Sequence, residues 1–247
     1  MPLARAIATL VVIASVARAR PVVVIDRLPV EHVDMRNGLH VILAPDDAAS
    51  SVVVHVRYKS GAALERTIEA GYTNLLAKLM SAGSVHVKDF DARIEAAGGW
   101  ANAQATHDYF AVTDSVPAHA LDLVLWLEAE RMAGLADGMT EAAVAAARDA
   151  TVAEWRSAYV DEPYALVTRE LQRALWVGEF ARYGNPVLGD GYHAHVASVE
   201  SVRRFARERL APNHAILVVA GRFDRAAAKR LVERYFNWIP MRETVTG

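Results

Sequence analysis

Gly71-Tyr72-Thr73-Asn74-Leu75-Leu76-Ala77-Lys78-Leu79-Met80 is the stretch on which the reading of this chain turns. With Ile68, the residues Tyr72, Leu75, Leu76 and Leu79 recur at helical spacing and form one apolar stripe, which predicts a helix over 68–80. At about 100° per residue, Asn74, Ala77 and Lys78 fall on the opposite face, where a cleft could lie. The ten residues alone are equally an amphipathic helix with a solvated polar side.

Outward from this helix, valine-rich runs at 22–25, 39–43 and 52–58 read as strands, bounded by turn residues at Asn37-Gly38 and Pro45-Asp46-Asp47. A second helix is expected at 89–97, and a strand pair at 101–106 and 109–114. Pro117 suits the start of a long helix burying Leu121, Val124, Leu125 and Met132. Thr140-Glu141 opens an alanine-rich helix that runs through Glu154. Helices at 163–176 and 199–210, a strand at 215–220 and a helix at 225–235 complete the pattern. Local strand pairing followed by blocks of helices predicts an α+β fold: a mainly antiparallel sheet with helices packed on one side.

Several further blocks stand in order. Asn37-Gly38-Leu39-His40-Val41 precedes the helix. Gly98-Gly99-Trp100-Ala101-Asn102-Ala103-Gln104-Ala105-Thr106-His107-Asp108 follows it, then Leu127-Glu128-Ala129-Glu130-Arg131-Met132, then Val152-Ala153-Glu154. In this order and spacing the chain resembles the insulinase-like peptidase family M16, which includes pitrilysin and the mitochondrial processing peptidases. The resemblance runs from about Val33 to Pro240, and it implies the zinc-peptidase α+β domain of that family.

In active members an H-x-x-E-H motif on one helix supplies two zinc ligands four residues apart and, between them, the general base. The resemblance places those positions on Asn74, Ala77 and Lys78. The third ligand falls on Glu154, which is retained, and a further glutamate on Ala147, which is not. An amide is a poor zinc donor, and an ammonium has no lone pair to give. The expectation is a non-catalytic member with no catalytic residue and no cofactor, the zinc of active relatives being lost. A Lys78–Glu154 ion pair is expected in place of the metal, since a carboxylate left alone in a cleft is costly. Asn102 and Ala103, in the block whose strand edge receives substrate backbone in active relatives, are the expected peptide-binding positions.

The family's inactive members pair with active subunits, so the resemblance implies a catalytic M16 subunit or a second M16-like domain as partner, with extended peptides as ligands. Two rival readings stay open. One is an active zinc metalloendopeptidase with atypical ligands, which would recruit His107 or the His193/His195 pair beside Glu154. The other is a truncated gene product. His193 and His195 read more simply as loop residues, and Trp126, Trp155, Trp176 and Trp238 as core packing.

A formal charge of -2 over 247 residues gives no electrostatic reason to expect nucleic acid, and the chain has no cysteine. Residues 1–19 have the layout of a secretory signal peptide, with Arg5, an apolar run over 6–17 and a small-x-small site at Ala17-Arg18-Ala19. An uncleaved anchor is the alternative. Residues 20–240 read as a single M16-like domain, and 241–247 as the start of a linker or a truncated end, so the chain is either a half-size protein or a fragment. Export to the periplasm or beyond follows from the leader.

Overall fold

The computed structural model describes residues 29–243; the expected leader and the strand expected at 22–25 lie outside them. Six strands form one sheet in the order β1-β2-β6-β3-β5-β4, with β1 at Glu31–Asp34, β2 at His40–Pro45, β3 at Ser51–Tyr58, β4 at Trp100–Ala105, β5 at Phe110–Pro117 and β6 at Ala215–Gly221. All neighbours are antiparallel except β2 and β6, which run parallel with Val41 opposite Leu217. Strand β1 was not foreseen. Its Glu-His-Val-Asp sequence alternates, but it is short and polar.

The pleat decides which face is core. Val52, Val54, Val56 and Tyr58 of β3 are buried, as are Val41 and Leu43 of β2 and Leu217 and Val219 of β6. Their alternates Ile42, Val53, His55, Ile216 and Val218 on the other face stay partly exposed. Seven α-helices are present among the described residues: α1 at Tyr72–Leu79, α2 at Phe90–Ala96, α3 at Leu121–Gly138, α4 at Glu141–Arg156, α5 at Ala165–Leu175, α6 at Val199–Arg209 and α7 at Arg225–Phe236. α3 is buried on nearly every side, including Glu128 and Arg131, and packs against β3, β5, α6 and α7. The expected α+β architecture, with a mainly antiparallel sheet, is the one observed.

Three local expectations need correction. α1 begins at Tyr72 rather than near Ile68, because Gly71 adopts φ 89° and breaks helical continuity; Ile68 sits in a separate 3-10 turn and is exposed. The polar side of α1 is not solvated, since Thr73, Asn74 and Ala77 are all buried. Trp176 and Trp238 are not core residues. They terminate helices and are 43% and 63% exposed, whereas Trp126 packs against the core.

The least replaceable polar contact lies beneath α3. Arg131 is buried, pairs with Glu128, lies 3.6 Å from Asp114 and donates from Nε to the Met80 carbonyl at 2.9 Å. Its guanidinium stacks over the Phe90 ring, 4.5 Å from the centroid. Burial pushes the Asp114 carboxyl up to about 6 against the pull of Arg131. Removing the cation leaves two buried carboxylates without a partner. Arg131→Met is therefore expected to cost about 3–5 kcal/mol in urea unfolding, and a loss under about 1 kcal/mol, the size of a surface pair, would show that the cluster is not held by this charge.

Candidate functional site

α1 is fixed at its start by a carboxylate from outside the helix. Glu65 accepts hydrogen bonds from the backbone N–H of Gly71 at 2.8 Å and of Thr73 at 2.6 Å, taking two donors that a helix N-terminus otherwise leaves unpaired. A Cβ at Gly71 would come within 2.9 Å of the Leu188 carbonyl, so both the left-handed backbone and the space require glycine there. The Tyr72 ring meets Phe205 of α6 edge-on, and its hydroxyl lies 3.0 Å from Ser201 Oγ. Leu75, Leu76 and Leu79 sink into the core.

That seating turns Asn74 and Lys78, one helical turn apart, toward α4. α4 starts at Thr140, whose side chain accepts from Ala143 N–H as an N-cap. It buries Val144, Ala147 and Thr151, and Glu154 continues that row at helical spacing. Lys78 Nζ lies 2.6 Å from Glu154 Oε2, and Asn74 Nδ2 donates to the same oxygen at 3.4 Å. The expected ion pair is present. The side chains are 28% and 47% exposed, so the contact is worth no more than about 1 kcal/mol. Ala77 is buried between them in sequence and offers no functional group.

Beside this pair, a cleft of about 220 Å³ runs between Ala77, Lys78, Ser81 and Asp91 on one side and Ala101, Asn102 and Ala103 of β4 on the other. Burial raises the pKa of Asp91, which lines it. β4 is the last strand of the sheet, so its outer edge is unpaired by any described strand. Asn102 is exposed on the partly open face of the sheet, and Ala103 turns inward. A larger groove of about 610 Å³ between β1, β2 and α7 is at the opposite end of the sheet from β4.

The other candidates are not brought into this cluster. His107 Nε2 pairs with the Asn185 carbonyl at 2.9 Å, at the turn between β4 and β5. His193 lies in a turn, its ring bonded to Asp190 at 2.7 Å, and His195 is exposed nearby. Sequence reasoning missed Glu65, Ser81 and Asp91. Glu65 had one available signal, an acidic residue shortly before a glycine-led helix, but its partners are backbone groups that no side-chain pattern records.

The residues present do not fit a zinc ion. Of the residues around the Asn74, Lys78 and Glu154 cluster only one carboxylate is a good donor, and among the described residues no group of three or more His, Cys, Asp or Glu side chains could hold a metal.

The sheet order, the α1–α4 pairing and the open strand edge define an insulinase-type peptidase domain. The sequence pattern of the insulinase family (peptidase family M16) matches residues 40–191, and the chain belongs to that family. A comparison with curated proteins finds no match. Among solved structures, a protease from Helicobacter pylori superposes with a TM-score of 0.82 at 21% identity, over 89% of this chain and 53% of that one. The first half of the periplasmic protease PqqL from Escherichia coli gives 0.77 at 17% identity, over 88% of this chain and 48% of that one. A peptidase M16 inactive domain from Pseudomonas fluorescens gives 0.74 at 14% identity, over 89% and 53%. The chain thus spans about half the length of these structures. No helix among the described residues is long and apolar enough to cross a membrane.

Two predictions follow from the seating of α1. Burial pushes Glu65 up to about 7, against the hydrogen bonds from Thr73 and Gly71 and the charge of Arg209. The folded chain holds this proton longer than the unfolded one. The stabilisation is complete below the ordinary glutamate value and is lost as pH rises toward 7, by roughly 3 kcal/mol. Urea unfolding at several pH values between 4 and 8 (about that range) should show this slope in the natural chain and a flatter one in Glu65→Gln; parallel slopes would refute it. The triple change Asn74→His, Ala77→Glu, Lys78→His should create stoichiometric zinc binding that Glu154→Gln weakens at least about tenfold. Failure of a folded triple variant to bind zinc would mean that these positions do not face Glu154 as metal ligands must.

Proposed function

We propose that this chain is a non-catalytic M16 homologue that holds extended peptides and serves as the partner half of a zinc peptidase, the other half being a catalytic M16 subunit or a second M16-like domain. The observation that carries this reading is the ammonium of Lys78 at 2.6 Å from Glu154. One monovalent charge, fixed on the chain, neutralises the carboxylate that in active relatives faces a divalent ion. It provides no Lewis acid and no site for a bound water, and Ala77 provides no base. Asn74, Ala77, Lys78 and Ala147 are read as the lost positions and Glu154 as the retained one, with no cofactor.

Peptide binding rests on the edge of β4. An extended segment laid beside it would find backbone donors and acceptors, with the cleft of Lys78, Ser81 and Asp91 next to its side chains. The Pseudomonas fluorescens relative described as an inactive M16 domain supports a non-catalytic role. The two-half size of the solved relatives supports a second M16-like domain as partner. The periplasmic description of the Escherichia coli protein supports export.

The test combines metal content, cleavage and binding. The full chain should carry no stoichiometric zinc, leave unstructured peptides uncut, and accelerate cleavage when mixed with an intact H-x-x-E-H M16 chain of the same source. Zinc together with cleavage by the chain alone would overturn the reading. Successive strand residues send their N–H to opposite sides, so one of Asn102 and Ala103 donates to β5 and the other faces the open edge. Of Asn102→Pro and Ala103→Pro, one should keep the fold and lose peptide binding by at least about tenfold. Unchanged binding in both would remove β4 from the site.

A further inference from the structure

β1 and β2 pair in antiparallel register, with Asp34 opposite His40 and His32 opposite Ile42. Residues directly opposite one another share a face, so His32, Asp34 and His40 stand together on the side of the sheet away from the core. Glu31 points to the other side, where it meets Lys229 at 3.4 Å and Arg225 at 3.9 Å. The three outer side chains lie at the opposite end of the sheet from β4 and its cleft.

They form a directed chain. Asp34 Oδ1 is 2.6 Å from His40 Nδ1, and His40 Nε2 is 3.2 Å from His32 Nδ1. A carboxylate only accepts, so the ring proton of neutral His40 sits on Nδ1 and its Nε2 keeps a bare lone pair. Metal-binding histidines are prepared in this way: a carboxylate holds one ring nitrogen, fixes the tautomer and raises the basicity of the other. The His40 side chain is 30% exposed and held in place by this contact, while His32 is exposed and free to turn.

The spacing of the two nitrogens suits a shared ion. Metal–imidazole bonds of about 2.0–2.1 Å put two ligand nitrogens about 2.9 Å apart when the bonds meet at a right angle, and about 3.3 Å apart at the tetrahedral angle. The 3.2 Å between His32 and His40 falls inside that range. A tilt of the His32 ring lets both lone pairs converge, and its Nδ1 proton passes to Nε2 of the same ring. The neutral pair therefore takes up an ion without releasing a proton overall. Two imidazoles with water in the remaining positions make a tetragonal N,O set, which favours copper(II), the tightest binder of the divalent first-row metals. Zinc sites draw on three or four protein ligands, so zinc gains too little here to stay bound through purification.

We propose that His32 and His40 are the ligands of a surface site for one copper(II) ion, with Asp34 as the positioning residue. The copper site goes beyond the peptide-binding reading and does not rest on it, since the ion sits on β1 and β2, across the sheet from β4.

The full chain, purified without a histidine tag, is titrated with copper(II), each at about 50 µM. About one equivalent should bind, with an electron paramagnetic resonance spectrum showing two imidazole nitrogens around the ion. His32→Asn and His40→Asn should each lower the affinity at least about tenfold, and Asp34→Asn should weaken it similarly while keeping the two-nitrogen signal. His193→Asn with His195→Asn should leave binding unchanged. Copper broadening of the natural chain's amide NMR signals should centre on β1 and β2, which locates the ion even where a variant fails to fold. Failure of the natural chain to bind, as expected of side chains that only hold β1 to β2, overturns the site. So does binding that survives loss of either histidine, or broadening centred elsewhere. Peptide binding should be unchanged in His32→Asn, so either conclusion can fail without the other.

Discussion

The parallel pairing of β2 with β6 is the constraint on which the rest of the molecule depends. It inserts a strand from 215–221 between two strands that end before residue 60, so every helix from α1 to α6 is an excursion that must begin and return on the same sheet. Long parallel returns need a crossover, and here the crossover contains most of the protein. The excursion places α3 across the middle of the sheet and α1 near its β4 end, where α4 packs against it. The cleft is a result of that placement. It lies where the helical layer meets the last, unpaired strand.

Much of this was written in the sequence, for identifiable reasons. Strands β2, β3 and β6 announce themselves as runs rich in valine, isoleucine and leucine, but only β3, over Val54-His55-Val56-Arg57-Tyr58, alternates in a way that marks its buried face; β6 is apolar throughout. Thr140 announced the start of α4 through its cap. α1 was recognisable as a helix but not at its true start. Ile68 has the right spacing, and only the positive φ of Gly71, a property of the backbone, separates it. β1 was invisible because four mostly polar residues carry too little pattern, and its partner β2 supplies what holds it. α5 was expected as a helix and is one, but its facing, with Val167, Leu171 and Leu175 left exposed, could not be read from the sequence. Its apolar spacing is as clear as that of α1, but periodicity gives the direction of a stripe relative to the helix and says nothing about which side the protein lies on.

The candidate site shows the same division between what residue type decides and what geometry decides. That Asn74 and Ala77 offer no metal chemistry follows from their functional groups alone. That Lys78 reaches Glu154 required the two helices to be set at the right distance, and both are set by contacts away from the pair: Glu65, Leu75, Leu76 and Leu79 for α1, and Val144, Ala147 and Thr151 for α4. Asn74 adds a weak second hydrogen bond to the same carboxylate oxygen, which leaves Glu154 with one neutral and one charged donor. The pair is half open to water, so its Coulombic contribution is small. Its effect is on the sign of the local field, which a bare carboxylate would make negative.

The seating of α1 does not run through the positions that border Glu154. Where a structural zinc ties ligands from separate segments, folding and metal binding are one equilibrium and loss of the donors unfolds the chain. In this chain α1 is anchored by Glu65 at its first turn, by Tyr72 against α6 and by three leucines in the core, none of which touches the positions at Asn74, Ala77 and Lys78. Asn74 and Ala77 are nonetheless buried, so a substitution there must also fit the packing of α1 against α4 and β4. Glu65, Gly71 and the leucines hold the helix, while Asn74 and Lys78 meet Glu154 and Ala77 and Lys78 line the cleft. The same separation accounts for the order of recognition: the helix identifies the architecture through its apolar stripe, and the chemistry of the cleft is set by the residue types at Asn74, Ala77 and Lys78.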